Sequence, residues 1–71
     1  MGPEGMVEIL LHLDEPWRTR FLRLVACTVV STWNSRDPTR EELTRWLGED
    51  IRLYRWTLQL LRAWDSTFEE R

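Results

Sequence analysis

Apolar positions recur along this chain with helical spacing, and most clearly between Asp37 and Trp64. Leu43, Trp46 and Leu47 form an apolar stripe at spacings of three and four, preceded by Thr39 and Glu42 in T-x-x-E spacing. That spacing is a capping box: the Thr hydroxyl accepts from the third helical N–H, and the Glu carboxylate accepts from the Thr N–H. Glu41 and Glu42 fall in the first turn, where the helix dipole favours acids. Gly48 stands where a left-handed closing residue is expected. The pattern predicts a helix over 40–47. Asp50 is placed to cap a second helix, running from 51 to 64. Within it Arg52, Arg55, Gln59 and Arg62 recur at spacings of three, four and three and form one narrow polar ridge. The remaining positions are largely apolar, which predicts a helix wrapped on most sides and showing only its arginines.

Upstream, Asp14-Glu15-Pro16 reads as a helix start, with acid at the cap and Pro in the first turn. A helix is predicted over about 16–33. Trp17, Phe21, Val25 and Thr28 follow one face, and Leu22, Ala26, Val29 and Trp33 an adjacent one; Arg20, Arg23, Cys27 and Ser31 lie outside. Residues 34–38 read as a loop, with Asn34 in a left-handed closing conformation. Met6–Leu13 fits two patterns. Val7, Ile9, Leu11 and Leu13 alternate as in a strand, while Met6, Ile9, Leu10 and Leu13 fit a helix. A lone strand finds no partner within the chain, so helix is the preferred reading. Residues 1–5, with two glycines and a proline, are expected to be disordered.

These elements make one all-α domain of 71 residues, a bundle of three main helices with a fourth at the N-terminus. A chain of this size buries only about 60% of its unfolded surface, so its own core is marginal. Five Trp are many for so short a chain. Together these predict a dimer, with some Trp in the core and some between copies.

Charge changes the picture more than the totals do. All ten basic residues are Arg, and the net charge of −2 is not that of a protein that coats nucleic acid. Residues 1–16 hold four acids and no base; 17–36 hold four Arg and no acid. Residues 37–50 hold five acids and two Arg, 51–64 three Arg and no acid, and 65–71 three acids and one Arg. Two basic helices are thus set among acidic segments, arranged either to face an anion or to pair with acidic neighbours. One cysteine excludes an internal disulfide framework and points to a reducing compartment, the cytoplasm. The first residues show no basic stretch followed by an apolar core, so no signal peptide is expected. The longest uncharged run, 24–35, is 12 residues, short of the ~20 that span a bilayer.

Catalytic chemistry finds little support. Cys27 reads as a small packing residue of an apolar helix. His12 has no second ligand at metal spacing, and no glycine-rich phosphate loop is present. The chain is expected to be a non-enzyme with no metal and no cofactor.

The run PTREELTRWLG resembles the second helix and turn of bacterial helix-turn-helix DNA-binding regulators, where T-x-E-E-L-x-x-x-L-G precedes the recognition helix. The resemblance covers Pro38 to Trp64. It implies a positioning helix at 40–47 and a recognition helix at 51–64. Arg52, Arg55 and Arg62 would then touch phosphates or base edges of duplex DNA, with Arg40 and Arg45 on its backbone. The chain departs from the pattern at Thr44, usually a small Ala, and at Thr57, usually apolar. It also carries acids at Glu49-Asp50, where phosphates would approach. The rival reading is a non-enzymatic helical adaptor or self-assembling subunit, its arginine ridge meeting acidic segments of a protein partner and its Trp residues filling the interface.

Overall fold

The computed structural model describes residues 2–30 and 36–65. They form four helices and, among the described residues, no strand: α1 (Pro3–Leu11), α2 (Trp17–Val29), α3 (Arg40–Glu49) and α4 (Ile51–Trp64). The N-terminal ambiguity resolves to helix, and the helix starts earlier than expected. Residues 3–5 are its first turn, not disordered. Pro3 supplies the preset φ of a first helical position and Glu4 an acid near the positive end of the dipole. The Pro3 ring also lies against α3, close enough that a Cβ on Gly48 would stand 3.7 Å from Pro3 Cγ.

α2 is shorter than predicted. Pro16 occupies its N-cap and no side chain caps it; Val30 ends it in an extended conformation. The β-branched run around Val29 and Val30 is where helix propensity falls. Trp33, Ser31 and Asn34 lie outside the described residues. The start is held by Glu15, whose carboxylate accepts from Arg18 Nε at 2.8 Å and from Thr19 Oγ1 at 2.6 Å.

The capping box of α3 forms as the spacing requires: the Glu42 N–H donates to Thr39 Oγ1 at 3.1 Å, and the Thr39 N–H donates to Glu42 Oε1 at 2.9 Å. The expected left-handed stop at Gly48 does not occur. No glycine has a positive φ, and α3 continues through Gly48 to Glu49. The stop is Asp50, at φ −120° and ψ 101°, which ends α3 and caps α4 at once. Its Oδ1 accepts from the N–H groups of Arg52 at 3.0 Å and Leu53 at 3.2 Å. A residue already committed to capping the next helix terminates the first without any glycine turn.

α1 packs on α2 and α3, and α4 packs on the same two helices, so the α2/α4 pair forms one side of the bundle and the α1/α3 pair the other. The core is aliphatic: Met6, Val7 and Leu10 of α1, Leu22 and Val25 of α2, Leu43 and Leu47 of α3, and Leu53 and Leu61 of α4, with Phe21 as the one buried aromatic ring among the described residues. Of the described Trp residues, Trp46 and Trp56 pack against its edge. Trp46 and Trp56 are half-buried, and Trp17 and Trp64 are exposed. α4 is therefore not wrapped on most sides. Its buried stripe is Leu53, Thr57 and Leu61, and Ile51, Ala63 and Trp64 are open to solvent along with the arginines. Thr57 sits at a core position, fully buried, although it stood outside the apolar set read from the sequence. Its hydroxyl has no hydrogen-bond partner among the described residues. Thr28 and Thr44, by contrast, donate to the carbonyls of Leu24 and Arg40, four residues back.

Candidate partner-binding face

α2 and α4 run antiparallel. At one end of their seam Trp17, the first residue of α2, meets Trp64, the last of α4, with ring centroids 6.2 Å apart. Phe21 and Trp64 meet nearly perpendicular, with ring centroids 6.0 Å apart. At the other end Thr28 of α2 lines a hollow with Asp50, Arg52, Leu53 and Trp56. Helical spacing then fixes what each face carries. On α4, residues 53, 57 and 61 point inward, and 56, 60 and 64 follow one step round on the side toward α2. Arg52, Arg55, Gln59 and Arg62 point outward. On α2, residues 21, 22, 25 and 26 point inward, which leaves Trp17, Arg20, Arg23, Leu24 and Cys27 outside. Arg20, Arg23, Leu24 and Cys27 together line a shallow, mainly apolar hollow. Cys27 is thus an exposed surface residue and not a packing one.

Trp17, Leu24 and Trp64 leave apolar surface exposed on this side. Trp17 is 40% exposed, Leu24 47%, Ile51 60% and Trp64 36%, and Val29 and Val30 are open as well. All six belong to α2, its closing residue or α4; among the described residues α1 and α3 expose no large apolar side chain. Single exposed apolar residues are ordinary, but a gathered set rimmed by polar groups marks an interaction surface.

The charges sort the same way. Within their helical spans α2 and α4 hold six Arg (18, 20, 23, 52, 55 and 62) and no acid. Arg18 is matched by Glu15, whose carboxyl is held below its usual range chiefly by the Thr19 hydroxyl and then by Arg18. Arg20 lies over the Trp17 ring, 5.1 Å from its centroid. Among the described residues, acids reach this side only at its ends, as Glu15 and Asp65 beside the Trp pair and Asp50 at the start of α4.

The five predicted DNA-contact residues do not share one surface. Arg52, Arg55 and Arg62 are exposed on the outer ridge of α4. Arg40 and Arg45 stand on α3, in a cleft shared with Glu4, Glu8 and Glu41. There Arg40 makes an ion pair with Glu8 of α1, so the cleft mixes both signs. The junction is also unlike a helix-turn-helix turn. That motif uses three or four residues, often with a glycine; here Asp50 alone separates the helices. Its carboxylate already occupies the N–H groups that a phosphate would use at the start of α4.

Leu24 and the Trp17–Trp64 pair are the functional candidates that periodicity did not single out. Leu24 gave a signal: it belongs to neither apolar stripe of its helix and sits among Arg20, Arg23 and Cys27. The Trp pair gave none, because it depends on how two distant helices cross. No group of His, Cys, Asp or Glu among the described residues is arranged to hold a metal ion, and no described helix is long and apolar enough to cross a membrane. Comparison with protein-family models, curated proteins and solved structures finds no match to this chain.

Proposed function

We propose that this chain is a small non-enzymatic helical interaction module that binds a protein partner through the outer face of α2 and α4. The observation that carries this reading is the coincidence, on one side, of the exposed Trp17, Leu24 and Trp64 with arginines that have no acid within their own helices. Aromatic and Arg side chains are the residues that anchor protein interfaces. The test is affinity capture with the full chain as bait. A partner should be retained by wild type and by Arg45→Glu, which lies on the α1/α3 side, and lost with Leu24→Glu. Equal capture by all three would sink the reading.

A second reading, duplex DNA, is favoured by the exposure of Arg20, Arg23, Arg52 and Arg55 on this same side. Four phosphate contacts would give a log–log salt slope of about −3.6. Titration of duplex DNA at low salt separates the two: no binding there removes the DNA reading.

A further inference from the structure

The chain's own surfaces say what the α2/α4 face lacks. Against a second copy of itself, apolar side chains would meet apolar ones, but the exposed Arg20, Arg23, Arg52 and Arg55 would oppose their own copies, with no acid inside either pair of helices and, among the described residues, acids only at the ends of the face. Like charges set opposite one another cost specificity and affinity. Against the α1/α3 side of another copy the charges match better, because α1 and α3 carry Glu4, Glu8, Glu41, Glu42 and Glu49 against Arg40 and Arg45. That side, however, offers no exposed large apolar side chain among the described residues to cover Trp17, Leu24 and Trp64. Each self-pairing meets one requirement and fails the other.

We infer that the face takes an acidic amphipathic helix of another protein, its apolar stripe laid along the α2/α4 seam and its carboxylates on Arg20, Arg23, Arg52 and Arg55. This rests on the reading that the face binds protein. The dimensions suit such a partner. Helices of 13 and 14 residues present a seam of about 20 Å, at 1.5 Å per residue, which accommodates roughly four turns of a guest helix. A guest with apolar anchors at i, i+4, i+7 and i+11 sets a single stripe over Trp56, Leu60 and Trp64 on one wall and Trp17 and Leu24 on the other. Arg on the rim reads carboxylates with directional, forked donors and also packs on aromatic rings, as Arg20 already does on Trp17.

The experiment uses the full chain and three synthetic peptides of about 18 residues. The first has Leu at those anchor positions and Glu on the flanks. The second replaces each Glu with Lys. The third keeps the composition of the first but scrambles the stripe. Binding is followed by fluorescence anisotropy at two salt concentrations, with sedimentation of the chain alone in parallel. The expected result is binding of the Glu peptide at least tenfold tighter than either control, weaker at high salt and at least tenfold weaker for Leu24→Glu and for Arg52→Glu. Both positions are exposed, and a circular dichroism melt confirms that each variant is folded. Equal binding of the Lys peptide overturns the acidic guest while leaving the interface reading standing. Self-association that Leu24→Glu abolishes, with no peptide bound, makes a second copy the occupant and overturns the inference alone. Binding of duplex DNA by this face, with no peptide bound and a monomeric chain, overturns both.

Discussion

The α1/α3 and α2/α4 sides are built from the same kinds of residue and do opposite things with them. On the α1/α3 side charge is spent internally. Arg40 meets Glu8 across the two helices, Glu42 closes a capping box and also accepts from Arg36, and the apolar residues are inside. On the α2/α4 side Arg20, Arg23, Arg52 and Arg55 have no acid within their helices, and large apolar side chains stay in solvent. A domain with a marginal core that leaves two Trp and a Leu exposed sacrifices burial it can ill spare, at roughly 25 cal/mol per Å² of apolar surface. Both sides supply the core, but only the α2/α4 side also keeps large apolar side chains in solvent, and that is the surface the proposed partner would cover.

The contrast breaks most visibly at leucine. Leu43 of α3 is fully buried and Leu24 of α2 is not. Leu43→Ala is expected to cost about 2–5 kcal/mol, enough to unfold much of so small a domain. Leu24→Ala is expected to stay within about 0.5 kcal/mol. Denaturant melts of both variants decide it; similar losses would mean that the α2 surface is buried in solution.

Thr57 is the exception on the α4 side, a buried hydroxyl with no partner among the described residues. An unsatisfied buried polar group costs about 1–3 kcal/mol. Thr57→Val, which puts a methyl in its place, is therefore expected to raise stability by about 1 kcal/mol. A lower denaturation midpoint would show that the hydroxyl finds a partner in solution.

Gly48 sharpens the account of the α1/α3 side. It is helical, and an added methyl would lie at ordinary contact distance from Pro3. Gly48→Ala is expected to stabilise by roughly 0.5–1 kcal/mol, because glycine costs about that much inside a helix. A loss of similar size in a thermal melt would instead place a left-handed residue at this position.

The smallest expected effect is on pH. Hydrogen bonds from Arg36, at 2.9 and 3.2 Å, and then from the Thr39 N–H hold the Glu42 carboxyl down to about 2, from an ordinary 4.5. A group depressed in the folded state stabilises fully above its unfolded pKa and loses that contribution as pH falls through the folded one. Stability should therefore decline between about pH 4.5 and 2, with Glu15 adding to the decline in the same direction. Glu42→Gln should flatten part of that slope in urea melts taken at stepped pH. An unchanged slope would mean that the Arg36 contact is absent in solution.

Much of the fold was legible in local pattern. The Thr39–Glu42 box and the Asp50 cap appear at the residues where spacing placed them, because caps depend only on neighbours within one turn. The helical assignment of α2 and α4 and the outward ridge of Arg52, Arg55 and Arg62 follow for the same reason. Other readings required knowledge of neighbours far away in sequence. Gly48 looked like a stop because glycine usually is one; Pro3 packing beside it and Asp50 capping beyond it make it helical instead. Arg40 looked free until α1 brought Glu8 to it. Some Trp were expected in the core and some at an interface; Trp46 and Trp56 pack against the core, and only the antiparallel crossing of α2 and α4 put Trp17 and Trp64 at a solvent-facing seam. Sequence alone determined which faces of each helix are apolar, charged or capped, since a helix repeats every 3.6 residues regardless of its surroundings. Tertiary structure decided which of those faces is covered, because coverage depends on which helices meet, and one helix carries no record of its neighbours.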